Sequence, residues 1–170
     1  MQPLVSIILG SDSDLPIMKA TTEVLEEFAV PCEILVISAH RNPEGLTNHI
    51  KNSQAKVFIG AAGGAAHLPG VIAAQTIKPV IGVPIKTKSL DGMDSLLSIA
   101  QMPSGVPVAT VAIDGSRNAG LLAIQILATA DKELEKKLEA FKTKMRAGVE
   151  KKSEELQAIG VQAYLEKLKK

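Results

Sequence analysis

Five short aliphatic runs, rich in β-branched residues and separated by helix-length segments, recur along the chain and restrict its fold more than any other feature. They occupy residues 4–9, 32–37, 57–61, 80–85 and 108–113, the first ending in Gly10. Runs of this length and composition read as buried strands. Between the first two, Ile17, Thr21, Val24 and Phe28 recur at helical spacing, with Asp14 placed as N-cap and Pro16 in the first turn. Asn42 and Pro43 begin a second helix in the same way. Further helices are predicted over 67–76, 93–101, 118–129 and from 131 onward.

Strands that alternate with helices at these intervals imply right-handed βαβ crossovers and a parallel sheet. The expected architecture is a three-layer αβα sandwich with a flavodoxin-like parallel sheet. Composition agrees: 46% of residues are hydrophobic, yet there is no Trp, one Tyr and three Phe. The interior must therefore be built from Ala, Val, Ile, Leu and Gly, as suits strands covered on both faces. A length of 170 residues accommodates one ordinary domain. We place a single α/β catalytic domain at 1–148 and a C-terminal helical tail at 149–170, because Gly148 and Gly160 interrupt the helical pattern there.

Charge narrows the partners. The formal net charge is +1, and residues 131–170 carry 11 basic and 8 acidic groups in alternation, with few interleaved aromatics. That is a solvated helix face and not a nucleic-acid patch. Residues 57–130 hold only seven charged side chains, Lys78, Lys86, Lys88, Asp91, Asp94, Asp114 and Arg117. So little charge over so long a segment predicts coverage by neighbouring subunits, hence a homo-oligomer. No apolar run reaches the roughly 18 residues of a membrane span, and no signal-peptide pattern precedes the first strand, so no membrane partner and a cytoplasmic location are expected. The single cysteine, Cys32, excludes an internal disulfide and a thiolate metal cluster, and is expected to be a buried small hydrophobe.

In open parallel sheets, ligands sit beyond the carboxyl ends of the strands. The first such end carries Gly10-Ser11-Asp12-Ser13-Asp14, where small residues, two hydroxyls and backbone N–H groups suit an anion and the acid suits sugar hydroxyls. It is neither a Walker loop nor a dinucleotide fingerprint. The second carries Ser38-Ala39-His40-Arg41, in which His40 can move a proton near neutral pH and Arg41 can hold a phosphate or carboxylate. The third, from Gly60 to Gly70, is almost free of large side chains and has His67 as its one titratable group. A flat ligand can lie on such a floor. Together the three loops fit a phosphorylated planar heterocycle and proton transfer. His40 and His67 lack carboxylate or thiolate neighbours at a metal-ligand spacing, so no metal is expected. His49, inside the second helix, reads as ordinary surface.

These loops resemble those of the class I PurE family, the N5-carboxyaminoimidazole ribonucleotide mutases of purine biosynthesis. Gly10-Ser11-Asp12-Ser13-Asp14 is similar to the family's Gly-Ser-x-Ser-Asp loop, Ser38-Ala39-His40-Arg41 to its Ser-Ala-His-Arg, and Ala62-Gly63-Gly64-Ala65-Ala66-His67-Leu68-Pro69-Gly70 to its glycine loop. Gly92-Met93-Asp94-Ser95-Leu96, Gln101-Met102-Pro103 and Asn118-Ala119-Gly120-Leu121-Leu122-Ala123 extend the likeness, which covers about residues 4–138. Class II relatives, which carboxylate aminoimidazole ribonucleotide directly with CO2, carry Lys after the histidine and a Ser-Asn-Ala loop. Arg41 and Ala65-Ala66-His67 thus resemble the mutase form. Asn42 stands where Thr is common and Ser104 where some relatives have Arg, and the long basic tail is atypical.

The resemblance implies transfer of a carboxylate from the exocyclic nitrogen to ring carbon C4 without a cofactor, in a homo-octamer. It makes His40 and His67 the catalytic residues. It also implies substrate contacts from Ser11, Ser13, Asp14, Ser38, Arg41, Gly63, Gly64, Ala65 and Leu68. Ser11, Ser13 and Arg41 would hold the phosphate, Asp14 the ribose, and backbone N–H groups near residues 63–65 with His67 the migrating carboxylate. Two other readings remain: a class II-like carboxylase using free CO2, and a non-catalytic nucleotide- or flavin-binding module, which the lack of loop aromatics disfavours.

Overall fold

The computed structural model describes residues 2–169. All five aliphatic runs become strands of one sheet: β1 (Val5–Leu9), β2 (Cys32–Val36), β3 (Val57–Gly63), β4 (Val80–Ile85) and β5 (Ala109–Thr110). Every pairing is parallel and the order is β2-β1-β3-β4-β5. This is the flavodoxin-like order expected, and it reverses direction between β1 and β3, where the two loops part and leave a crevice.

Helices α1 (Leu15–Glu27), α2 (Pro43–Asn52), α3 (Leu68–Ala73), α4 (Met93–Ala100) and α5 (Ser116–Ala128) supply the outer layers. One face buries Leu46 and Ile50 of α2, Leu68 and Ile72 of α3 and Ile99 of α4 with Ile8, Phe58 and Ala62 of the sheet. Their alternate neighbours Ile7, Leu9 and Ile59 point to the opposite face and are also fully buried. On that side α5 packs on β3, β4 and α1. The approach of α1 to α5 is close enough that a Cβ on Gly120 would stand 2.4 Å from Val24 Cγ1 and 3.2 Å from the Thr21 carbonyl. Two buried hydroxyls tie the same helices: Thr21 Oγ1 donates to the Ser116 carbonyl (2.7 Å) and Ser116 Oγ to the Ile17 carbonyl (2.6 Å).

Several local expectations are corrected. Asp14 does not cap α1: its side chain makes no cap hydrogen bond, and a 3-10 turn at Asp12–Asp14 intervenes, capped by Ser11. Asn42 does cap α2, accepting from the Gly45 N–H at 3.0 Å. The fifth strand is two residues long and not six, because Val111 and Asp114 donate to the carbonyls of Gly82 and Pro84, setting three residues of advance against two on β4. Cys32 is half-buried, and burial pushes its thiol pKa up.

The chain divides into two compact units, Met1–Ala130 and Asp131–Lys170. In the second, α6 (Lys132–Leu168) starts on Asp131, whose carboxylate accepts from the N–H groups of Glu133 and Leu134. It runs through Gly148 without a break. Only Gly160, at φ 77°, leaves helical geometry, and beyond it Lys167 reaches back to Glu155. No helix among the described residues is long and apolar enough to cross a membrane.

Candidate active site

A cleft of about 480 Å³ lies over the tips of β1, β2, β3 and β4, at the point where the strand order reverses. Its walls include Ser11, Ser13 and Asp14 after β1, Ser38, His40 and Arg41 after β2, and Gly63, Ala65, His67 and Leu68 around the end of β3. Three loops far apart in sequence thus meet in one place. Gly64 alone among the expected site residues does not line the cleft. It takes the φ of +65° that turns the chain toward His67, and its N–H donates to Ser95 Oγ (2.8 Å).

The two loop histidines touch: His40 Nε2 lies 2.8 Å from His67 Nδ1, with the rings nearly perpendicular at 83°. At that separation one proton lies between the two nitrogens, donated by one ring and accepted by the other. The pair is therefore a single proton-carrying unit in which each ring fixes the other's orientation. His67 reaches this position because the 64–67 turn is closed by hydrogen bonds from the Ala66 and His67 N–H groups to the carbonyls of Gly64 and Ala65.

Beside the histidines is a wall of one guanidinium and three hydroxyls, whose chemistry suits an anion. Arg41 Nη2 donates to the Gly10 carbonyl at 3.0 Å, tying the β2 loop to the β1 loop. Ser13 Oγ donates to Ser11 Oγ (2.9 Å) and lies 3.2 Å from Asp14 Oδ1. Ser38 Oγ accepts from the Arg41 N–H (3.3 Å) and so sets the turn that presents His40 and Arg41. Asp14 is buried, and burial holds its carboxyl above the ordinary carboxylate range against the opposing hydrogen bond from Ser13. A carboxyl in that position, with one oxygen toward the serines, can accept hydrogen bonds from a sugar diol.

Along the third loop, the amides of Gly64, Ala66 and His67 are engaged internally. The Ala65 N–H makes no hydrogen bond among the described residues and is open to a ligand.

Sequence reasoning missed the fourth wall, Ile85, Lys86 and Thr87 at the end of β4. The strand-end rule that exposed the other three loops would have found it. His49 was also misjudged: its side chain is only 15% exposed, its Nε2 lies 2.8 Å from the fully buried Ser6 Oγ, and Glu33 Oε1 is 3.6 Å away. It therefore satisfies a buried hydroxyl that has no other partner among the described residues, at the end of β1 remote from the cleft. Among the described residues, no three or more His, Cys, Asp or Glu side chains are grouped to hold a metal ion.

Known proteins resemble this chain over nearly its whole length. A protein-family model described as AIR carboxylase matches residues 4–148. An N5-carboxyaminoimidazole ribonucleotide mutase of Pyrococcus horikoshii is 55% identical over 167 residues, covering 96% of this chain and 94% of that protein. Coverage so complete takes in most of α6, so the tail is shared with relatives and is not atypical. A phosphoribosylaminoimidazole carboxylase of Saccharomyces cerevisiae is 51% identical over 98% of this chain, which matches only 30% of that larger protein. The crystal structure of Treponema denticola PurE superposes with a TM-score of 0.80 at 28% identity, covering 93% of this chain and 99% of that one.

Proposed function

The chain belongs to the AIR carboxylase family, and from that membership we propose that it is a mutase converting N5-carboxyaminoimidazole ribonucleotide to 4-carboxy-5-aminoimidazole ribonucleotide in purine biosynthesis. The observation that carries the chemistry is the His40–His67 contact at 2.8 Å beside an anion-binding wall. In the reaction, the bond between the exocyclic nitrogen and the carboxyl carbon breaks, and the nitrogen takes a proton from His40 as CO2 departs. Ring carbon C4 then bonds to the CO2, and His40 recovers a proton from C4. Protons balance, and no oxidant or reductant is needed. A group that gives and then takes a proton must be held in a fixed orientation, and the perpendicular packing against His67 supports that role for His40.

The remaining groups divide by position. Ser11, Ser13 and Arg41 bind the phosphate, Asp14 the ribose, and Ser38 supports the loop that carries His40. On the far side Gly63, Leu68 and the Ala65 N–H form a floor with few polar side chains, on which CO2 can be retained and water excluded. His67, besides orienting His40, donates to the migrating carboxylate.

Supplying the protein with substrate labelled in its carbamate carbon, in bicarbonate-free buffer, tests the reaction. Label transferred intact to C4 is expected. Obligatory exchange with added CO2 would instead establish a direct carboxylase, and tight nucleotide binding without turnover a binding module.

We further propose a cytoplasmic homo-octamer. The family resemblance implies the number eight; the charge-poor 57–130 segment and the apolar face exposed by Leu90, Met93 and Leu97 on and just before α4 support association of more than one chain. Sedimentation is expected to find an assembly of eight chains, and a 17.9 kDa species alone would defeat this.

A further inference from the structure

Lys86 and Thr87 line the cleft at the tip of β4, beside the glycine floor. Ile85 is in register with Gly63 of β3, and a Cβ at Gly63 would stand 3.1 Å from Thr87 Cγ2. The backbone here is pinned from two directions. The Lys86 N–H donates to Asp114 Oδ1 (2.9 Å), and Thr87 Oγ1 lies 3.1 Å from Asp94 Oδ2. Two of the three acids around this corner are therefore engaged with groups other than the lysine ammonium.

The third acid is different. Lys86 Nζ pairs with Asp91 Oδ1 at 3.1 Å, and both side chains are open to water, at 57% and 84% exposure. An ion pair so exposed is weak, screened by salt and easily exchanged for another carboxylate. Asp91 itself sits at φ +51° in the turn before α4, a conformation that non-glycine residues adopt reluctantly.

The two walls have complementary tasks. Arg41 belongs to the tip of β2 and Lys86 to the tip of β4, and β1 and β3 lie between them. Three strand spacings of about 4.8 Å put the two backbones about 14 Å apart. A ribonucleotide with phosphate at one end and a carboxylated base at the other presents two anions in the same sense. The serines stand with Arg41, whereas Lys86 stands with Gly63. We propose that Lys86 is a specificity residue whose ammonium leaves Asp91 to pair with the base-borne carboxylate, so that the site prefers carboxylated over decarboxylated ribonucleotide. This rests on the mutase reading and adds to it a group that distinguishes the two ligands by charge.

Calorimetric titration of the full chain with 4-carboxy-5-aminoimidazole ribonucleotide, and separately with 5-aminoimidazole ribonucleotide, tests the assignment. Lys86→Gln is expected to weaken the carboxylated ligand about tenfold while changing the decarboxylated one less than about twofold. Retained binding of the latter shows that the variant is folded. Asp91→Asn, which frees the ammonium, is expected to tighten the carboxylated ligand alone. Equal loss for both ligands, or no loss for either, overturns the role of Lys86. A wild-type chain that binds neither ligand overturns the mutase reading itself, and this proposal with it.

Discussion

Replacing His40 with asparagine is expected to lower kcat by about 10²- to 10⁴-fold, the range typical for loss of a positioned proton-transfer group. Asparagine fills similar space and can still hydrogen-bond, so the change removes proton transfer with little effect on shape. Affinity should be nearly unaltered, because the phosphate and ribose contacts come from Arg41, the serines and Asp14. The pair geometry adds a second expectation. His40 Nε2 is bound to His67 Nδ1, so His67→Asn should also slow turnover, but less, since His40 keeps its own proton and loses its orienting partner while the carboxylate loses one donor. Measuring kcat and KM for both variants decides the matter. A His40→Asn enzyme with near-normal kcat would remove this residue from the chemistry, and a larger loss at His67 would exchange the two roles.

What the amino-acid order disclosed, and what it hid, follows from the range of the interactions involved. The parallel sheet was legible because each buried strand is written as a contiguous aliphatic run, and the cleft because each of those runs ends in residues too small or too polar to continue it. Contacts between distant loops were not legible. His40 and His67 are 27 positions apart, and nothing in either loop announces that their ring nitrogens meet. Ser6 and His49, 43 positions apart, form a buried hydrogen bond that a lone helical histidine does not betray. Lys86 was passed over because a lysine in a loop ordinarily means a solvated side chain. Its place on the cleft wall depends on β4 lying beside β3. Glycine misled in the tail, where Gly148 and Gly160 look alike in sequence. A glycine inside a helix costs only about 1 kcal/mol, so neighbouring turns carry the chain through Gly148, and only Gly160 takes up a non-helical, positive-φ conformation. At Asp14 the competing reading was local: Ser11 captures the cap three residues earlier, which leaves the carboxyl to face the cleft.

Arg41→Ala should act mainly on binding. Hydrogen bonds to a charged group contribute about 1.5–3 kcal/mol, so loss of the guanidinium should raise KM by roughly 10- to 150-fold. Competition by inorganic phosphate should weaken in parallel. Arg41 also tethers the β2 loop to the Gly10 carbonyl, and the neighbouring residue is His40, so a second consequence has to be separated from the first. Were the tether the dominant role, its loss would let His40 drift and would lower kcat, because small misplacement of a proton-transfer group is costly. The anion-binding role instead moves KM and leaves kcat within a few-fold. Arg41→Lys sharpens the distinction: it restores the positive charge but not the planar fork, so part of the binding should return while the bond to Gly10 loses its geometry. If Arg41→Ala leaves KM unchanged and depresses kcat, the phosphate falls to Ser11 and Ser13 alone, and Arg41 becomes a positioning residue for the acid-base pair.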